Sequence, residues 1–141
     1  MTNLDMIAAQ KAQAIITETM HQDKNTVENV ITKALGVVQE QGIYAGMLYL
    51  LSRGDKEKQI ADKVINQLVA LLREESLRSF TLTEGLVVNP TPQQLLNHFA
   101  TSICAKPVQT LLLVKNLFEQ TLMYARYSAK ARQEQNNPPE N

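Results

Sequence analysis

The chain has 141 residues, of which 44% are hydrophobic and 20% are charged, and its formal net charge is zero. This length suits one domain with a real core, and the composition argues against a disordered chain. The zero net charge alone points to no polyanionic partner, and a single cysteine excludes an internal disulfide or a cysteine zinc cluster.

In the first third of the chain, the spacing of apolar residues predicts two amphipathic helices. The first spans about residues 4–20, where charged residues interrupt the apolar positions. We therefore expect no secretory signal and a cytoplasmic location. The second begins after an N-cap at Asn25 or Thr26 and ends at Gly42. Gly36 lies inside it, and we expect tight packing there, because glycine costs about 1 kcal/mol relative to alanine within a helix.

The next segment, residues 43–53, is almost wholly apolar and lies between Gly42 and Gly54. A helix that is apolar on every side has no solvent face, so the pattern predicts a helix that runs through the middle of a bundle. The segment is too short to cross a membrane, which takes about 20 apolar residues. Gly46 would allow a neighbouring helix to approach closely.

Residues 55–105 predict one clear helix, one irregular segment and one capped helix. The first begins near Asp55 and buries a stripe at helical spacing. This stripe consists of Ile60, Ala61, Val64, Ile65, Leu68 and Leu72. Residues 79–91 favour a short hairpin or an extended loop equally well. Thr91 is followed by proline and two glutamines, which predicts an N-cap and the first turn of a helix that reaches about Cys104.

The last helix is predicted from Pro107 to about Gln135. Its apolar seam consists of Val108, Leu111, Leu112, Phe118, Leu122, Ala125 and Ala129. Residues 136–141 are polar and contain two prolines, so we expect a disordered tail. The sequence therefore predicts an all-α, single-domain bundle of five to six helices over residues 1–135, with a short hairpin or extended loop near residues 79–91.

The charges are unevenly distributed although the net charge is zero. Residues 1–52 carry three basic and five acidic side chains, whereas residues 106–132 carry five basic side chains and only Glu119 as an acid. The C-terminal helix is therefore the predicted anion-facing element. The alternative is an ordinary solvated helix end, where cations interact favourably with the helix dipole.

Candidate anion-binding cations lie in two places. Arg126 and Lys130 are four residues apart and share a helical face. Tyr127 is adjacent to this pair, and Arg132 is close in sequence but turned away from both. A second, small basic corner consists of Arg53, Lys56 and Lys58.

Residues typical of catalysis are sparse. The two histidines, His21 and His98, have no histidine, cysteine or carboxylate three or four residues later, so neither predicts a helical metal site. No phosphate-binding loop, dinucleotide-binding turn or nucleophile elbow is present. We interpret Cys104 as a small buried hydrophobe. The sequence thus predicts a protein without catalytic residues, metal or cofactor.

Two segments resemble a known family. Residues 37–54, in which one helix ends at a glycine and an apolar helix follows, are similar to a stretch of the small α-helical subunit of type III-B CRISPR-Cas (Cmr) effector complexes. Residues 122–132 are similar to the aromatic and basic terminal helix of that family. The family usually has a tryptophan there, whereas this chain has Tyr124 and Tyr127, and residues 79–91 have no clear counterpart.

The resemblance implies a non-catalytic subunit in antiviral defence. Such a subunit stacks with copies of itself, assembles with other CRISPR effector subunits and contacts guide RNA and target RNA. No membrane is expected among its partners. The residues that this reading assigns to RNA binding are Arg126, Lys130, Arg132, Arg53, Lys56 and Lys58.

Two other classes of function stay open. One is a homo-oligomeric helical protein-protein adaptor without nucleic-acid binding, which the zero net charge favours. The other is a small helical enzyme, which would need a pocket built from His98, Cys104 and carboxylates.

Overall fold

The regular structure of the chain is helical in a computed structural model that describes residues 3–132. Its α-helices are α1 (Leu4–Glu18), α2 (Lys24–Gln41), α3 (Ile43–Leu51), α4 (Lys56–Leu72), α5 (Pro92–His98) and α6 (Val108–Ala131). The predicted all-α bundle of five to six helices is confirmed, since these six helices share one hydrophobic core. The tail predicted at residues 136–141, and the last predicted turn before it, lie outside the described residues.

Side-chain caps determine where several helices begin. The capping box predicted at Thr91 is confirmed: Thr91 Oγ1 accepts from the Gln94 backbone N–H at 3.2 Å, and Gln94 Oε1 accepts from the Thr91 N–H at 2.9 Å. The N-cap predicted for α2 at Asn25 or Thr26 is wrong. Asp23 caps this helix, because its carboxylate accepts from the backbone N–H of Thr26 at 3.0 Å.

The longest helix, α6, lies at the centre of the bundle and packs against both α1 and α2. Helix α1 runs parallel to α6, because Tyr124 contacts Asp5 at the start of α1 and Arg132 contacts Thr19 just after its end. Helix α2 returns antiparallel after a short turn. Helix α4 packs against α1, α2 and α3.

The prediction that the apolar segment forms the central helix is wrong. Helix α3 has only nine residues, packs mainly on α2 and α4 with smaller contacts to α5 and α6, and leaves one side facing solvent. Its Leu48 is 46% exposed. The central position belongs instead to α6, whose 24 residues are long enough to pack along two helices at once.

Two glycines on neighbouring helices have opposite surroundings. A Cβ at Gly46 of α3 would lie 2.4 Å from Val38 Cγ2 of α2, so the predicted close approach is confirmed there. A Cβ at Gly36 of α2 would have no neighbouring atom within 4 Å. The tight packing predicted at Gly36 is therefore wrong, because that side of α2 faces away from the other helices.

The apolar stripe of α4 is confirmed, since all six of its predicted positions are buried. The seam of α6 is confirmed from Phe118 to Ala129 but is wrong at its start, where Val108 is 68% exposed and Leu112 is 54% exposed. The first turns of α6 bury a different face, which carries Thr110, Val114 and Leu117. Among residues 3–132, no helix has the length and hydropathy needed to span a bilayer.

The irregular segment predicted near residues 79–91 contains no strand, so its hairpin alternative is wrong. A 3₁₀ helix covers Glu75–Phe80, turns follow at residues 81–85, and an irregular loop covers residues 86–91. Two hydrogen bonds to backbone carbonyls hold the segment: Arg73 Nη2 donates to Val87 at 2.6 Å, and His98 Nε2 donates to Leu82 at 2.7 Å. The predicted helix up to about Cys104 is confirmed, because α5 continues as a π-helical turn, Phe99–Ile103.

Candidate nucleic-acid interface

The outer face of the second half of α6 carries two of the predicted cations. Arg126 and Lys130 lie one turn apart on this face. The neighbouring face of the same turns is packed into the core by Leu122, Ala125 and Ala129, all of which are fully buried. Because the core fixes the rotation of α6, the side chain of Lys130 reaches solvent with 46% of its area exposed, whereas Arg126 is half-buried.

One carboxylate from α2 lies beside Lys130. Glu28 is 3.4 Å from the ammonium of Lys24 and 3.9 Å from that of Lys130. Among residues 3–132, no carboxylate lies within 4.0 Å of the Arg126 guanidinium. We call these four residues, Lys24, Glu28, Arg126 and Lys130, the basic strip. The basic strip contains three cations and one anion.

Arg132 does not belong to the basic strip. It is only 4% exposed, and its guanidinium donates to three backbone carbonyls, those of Thr19 at 3.0 Å, Met20 at 3.1 Å and Gln22 at 2.7 Å. Carbonyls at a helix C-terminus lack partners within their helix and attract cations. The prediction that Arg132 contacts RNA is therefore wrong, because this side chain joins the end of α6 to the turn after α1.

Arg53 is also engaged within the protein. Its Nε donates to the Tyr49 carbonyl at 3.1 Å, and its guanidinium carbon lies 4.1 Å from the centre of the Tyr49 ring. Its Nη1 lies 3.4 Å from the Glu57 carboxylate. Burial raises the pKa of the Tyr49 hydroxyl, and the Arg53 charge opposes that rise. Arg53 thus stabilises the connection between α3 and α4, and its guanidinium is already paired with Glu57.

The other two residues of the basic corner lie at the start of α4. Lys58 pairs with Asp62 one turn later at 3.1 Å, and both side chains are exposed. Hydrogen bonds from the hydroxyl and backbone N–H of Thr26 lower the pKa of Asp23, and the nearby charge of Lys56 lowers it further. The structure therefore places the start of α4 and the end of α6 at the same end of the bundle, around the turn that contains Asp23.

A shallow cavity of about 290 Å³ opens between α1 and α6. We call it the α1/α6 cavity, and its lining residues are Asp5, Ala9, Gln13, Tyr124, Tyr127 and Ser128. The hydroxyl of Tyr124 donates to Asp5 Oδ1 and accepts from Gln120 Nε2 at 3.0 Å. The bond to Asp5 raises the pKa of Tyr124, because it favours the neutral phenol. Tyr127 is 58% exposed and lies between this cavity and the basic strip.

The groups that a helical enzyme would need do not converge. His98 is buried, and the cavity beside it does not include Cys104. Cys104 is exposed, so its interpretation as a buried hydrophobe is wrong. It follows the π-helical turn after α5, where the chain returns to the surface. In the described part of the chain, no group of three or more histidine, cysteine or acidic side chains is positioned to hold a metal ion.

Sequence reasoning missed the α1/α6 cavity. The spacing of Asp5, Ala9 and Gln13, four residues apart, was the available signal, because it places all three on one face of α1. That face cannot be assigned to a partner helix from spacing alone. Only the parallel packing of α1 and α6 brings it beside Tyr124 and Tyr127.

Comparison with known proteins gives no match: no protein-family model, curated protein or solved structure matches this chain. The interpretation of function therefore depends on the geometry of the basic strip and the α1/α6 cavity. It also depends on the family resemblance of residues 37–54 and 122–132 that was noted in the sequence.

Proposed function

We propose that this chain is a non-catalytic small subunit of a type III CRISPR RNA-guided effector ribonucleoprotein in the cytoplasm. The basic strip contacts the backbone of guide or target RNA. The observation that most supports this proposal is the outer face of α6, where Arg126 and Lys130 lie beside the exposed ring of Tyr127. Cations bind phosphates, and an exposed aromatic ring offers a surface on which unpaired bases stack.

The small number of cations explains why such a subunit works in an assembly. Each phosphate neutralised on single-stranded RNA contributes only about 0.7 to the slope of log K against log salt concentration, so two or three contacts bind weakly. Copies that stack along one RNA raise the effective concentration of every further contact. The proposal therefore includes stacking with copies of itself and contact with other effector subunits.

Purification of the tagged chain from its native cells tests this assignment. We expect large partner subunits and bound RNA, and sequencing of that RNA should show CRISPR repeat-derived sequence at its ends. A homo-oligomer that is free of RNA would contradict the proposal.

A double substitution tests the contact surface within the purified complex. Arg126→Ala with Lys130→Ala should reduce the RNA retained by the assembled complex as the salt concentration rises. The control is Lys33→Ala with Arg78→Ala, which also removes one lysine and one arginine, but from exposed positions outside the basic strip. Equal RNA retention by wild type and the test variant at every salt concentration would show that the basic strip does not contact RNA.

The second candidate function is a homo-oligomeric helical adaptor without nucleic-acid binding. The observation that favours it is the start of α6, where Val108 and Leu112 are 68% and 54% exposed and lie one turn apart. The fully buried core of a homodimer interface is more apolar than the rest of the protein surface. Val108→Ser with Leu112→Ser should dissociate such an oligomer, and an unchanged oligomeric mass in light scattering would argue against this surface.

A further inference from the structure

The α1/α6 cavity is built from one face of each of two parallel helices. On α1 its residues recur every four positions, and the central one, Ala9, has only a methyl group between the longer side chains of Asp5 and Gln13. On α6 the lining residues include Tyr124 and Ser128, one turn apart. A volume of about 290 Å³ is just below the usual range for small-molecule sites. The cavity therefore has room for one small planar group.

The two tyrosines of the cavity have different surroundings. Tyr124 is half-buried and is held by hydrogen bonds to Asp5 and Gln120. Tyr127 is 58% exposed, so most of its ring is available to a ligand. Aromatic rings of this kind are the usual stacking surface for unpaired RNA bases.

The polar groups of the cavity can recognise the edge of a base. A carboxylate such as that of Asp5 accepts hydrogen bonds and does not donate them. Its Oδ1 accepts from Tyr124 and Gln120, whereas its Oδ2 has no hydrogen-bond donor among residues 3–132. Gln13 adds an amide that both donates and accepts, and Ser128 adds a hydroxyl. An acceptor-only carboxylate selects ligands that present N–H donors.

We propose that the α1/α6 cavity binds one unpaired base of the RNA, stacked on Tyr127, and that it prefers guanine. On its Watson–Crick edge guanine presents two adjacent N–H donors, N1–H and N2–H, either of which can donate to the free oxygen, Asp5 Oδ2. The single N–H of uracil lies between two carbonyls, which the carboxylate repels. This inference rests on the proposed function, because Arg126 and Lys130 hold the phosphates next to the bound base. It adds base recognition to a surface that would otherwise contact only the backbone.

Two RNAs test the inference on the full chain labelled with ¹⁵N. One is a strand of seven uridines, and the other has guanosine at its central position. At low ionic strength we expect the guanosine-containing RNA to bind at least about fivefold more tightly. The amide resonances of Ala9, Gln13 and Ser128 should shift at lower concentrations of that RNA than of the uridine strand. Equal affinities, or shifts confined to the basic strip, would overturn the inference.

Three substitutions separate stacking from general surface effects. Tyr127→Ala should abolish the preference for guanosine, whereas Tyr127→Phe should keep it because the ring remains. The matched control is Met123→Ala, which removes another exposed apolar side chain one turn earlier and outside the cavity. It should leave both affinities unchanged. A preference that survives in Tyr127→Ala would show that the guanosine binds elsewhere.

The outcomes also separate this inference from the proposed function. If the two RNAs bind equally and Arg126→Ala with Lys130→Ala weakens both, the base site is wrong and the backbone contact remains. If neither RNA binds at millimolar concentration, the base site is wrong. If, in addition, Tyr127→Ala releases a partner subunit from the purified complex, the cavity binds a side chain of that partner and not an RNA base. Unchanged RNA retention by the double variant within the complex would overturn the proposed function itself.

Discussion

The inner and outer faces of α6 place similar side chains in opposite surroundings. Arg132 and Lys130 are two residues apart, and both lie in the most basic part of the sequence. Arg132 is 4% exposed and donates to backbone carbonyls, whereas the side chain of Lys130 is 46% exposed. The rotation of α6 against α1 and α2, rather than the local density of charge, therefore decides which cations can meet a ligand.

The largest expected effect is on the inner face of α6. Phe118 is fully buried, and its ring centre lies 6.3 Å from that of Phe99. Phe118→Ala should lower the free energy of unfolding by about 3–5 kcal/mol, because it leaves a cavity in the core. Urea unfolding followed by circular dichroism measures this change. A loss far below this range would show that α6 is not central to the bundle.

A second substitution tests the buried arginine. Arg132→Ala should lower the free energy of unfolding by about 1–3 kcal/mol, because three carbonyls lose their charged donor. Arg132→Lys should recover only part of the loss, since an ammonium cannot reproduce the planar fork of a guanidinium. Unchanged stability together with weaker RNA binding would place Arg132 on the outer face instead.

Two glycines extend the comparison of inner and outer faces to α2 and α3. Gly46→Ala should destabilise the protein by about 1–3 kcal/mol, because the new Cβ would lie 2.4 Å from the buried side chain of Val38. Gly36→Ala should instead stabilise it by about 0.5–1 kcal/mol, because the site is open and alanine favours helix. Urea midpoints that move in the same direction for both variants would contradict this assignment of faces.

The smallest effect concerns the pH dependence at the exposed cap of α2. Hydrogen bonds from Thr26 lower the pKa of Asp23 below its ordinary value of 3.8. The carboxylate therefore contributes stability that is complete above that pH and is lost as the pH falls through the lower, folded-state pKa. In urea unfolding from about pH 5 downward, the free energy of unfolding of Asp23→Asn should fall less steeply with decreasing pH than that of wild type. The same dependence of the free energy of unfolding on pH in both proteins would indicate that the protonation of Asp23 is not coupled to folding.

Local patterns were sufficient to predict most helices. The cap at Thr91 and the buried stripe of α4 depend on residues within one or two turns, which sequence spacing reports directly. The position of α3 could not be predicted in this way. Its apolar composition suggested the centre of the bundle, but helix length and partner helices decided that α6 lies there.

The candidate site was predictable only in part. The shared face of Arg126 and Lys130 follows from their spacing, and it holds because α6 is a continuous helix there. The burial of Arg132 depends on the carbonyls of a turn more than one hundred residues earlier in the chain. The same long-range packing creates the α1/α6 cavity, so neither feature is visible in local sequence.

The salt dependence of RNA binding tests most directly whether the outer face of α6 meets the phosphates. The measurement compares two double variants on the same single-stranded RNA. The test variant carries both Arg126→Ala and Lys130→Ala, and the control carries both Lys33→Ala and Arg78→Ala. The slope of log K against log salt concentration should become shallower by about 1.4 in the test variant, from two lost contacts, and should stay unchanged in the control. Equal slopes in wild type, test variant and control would contradict the account.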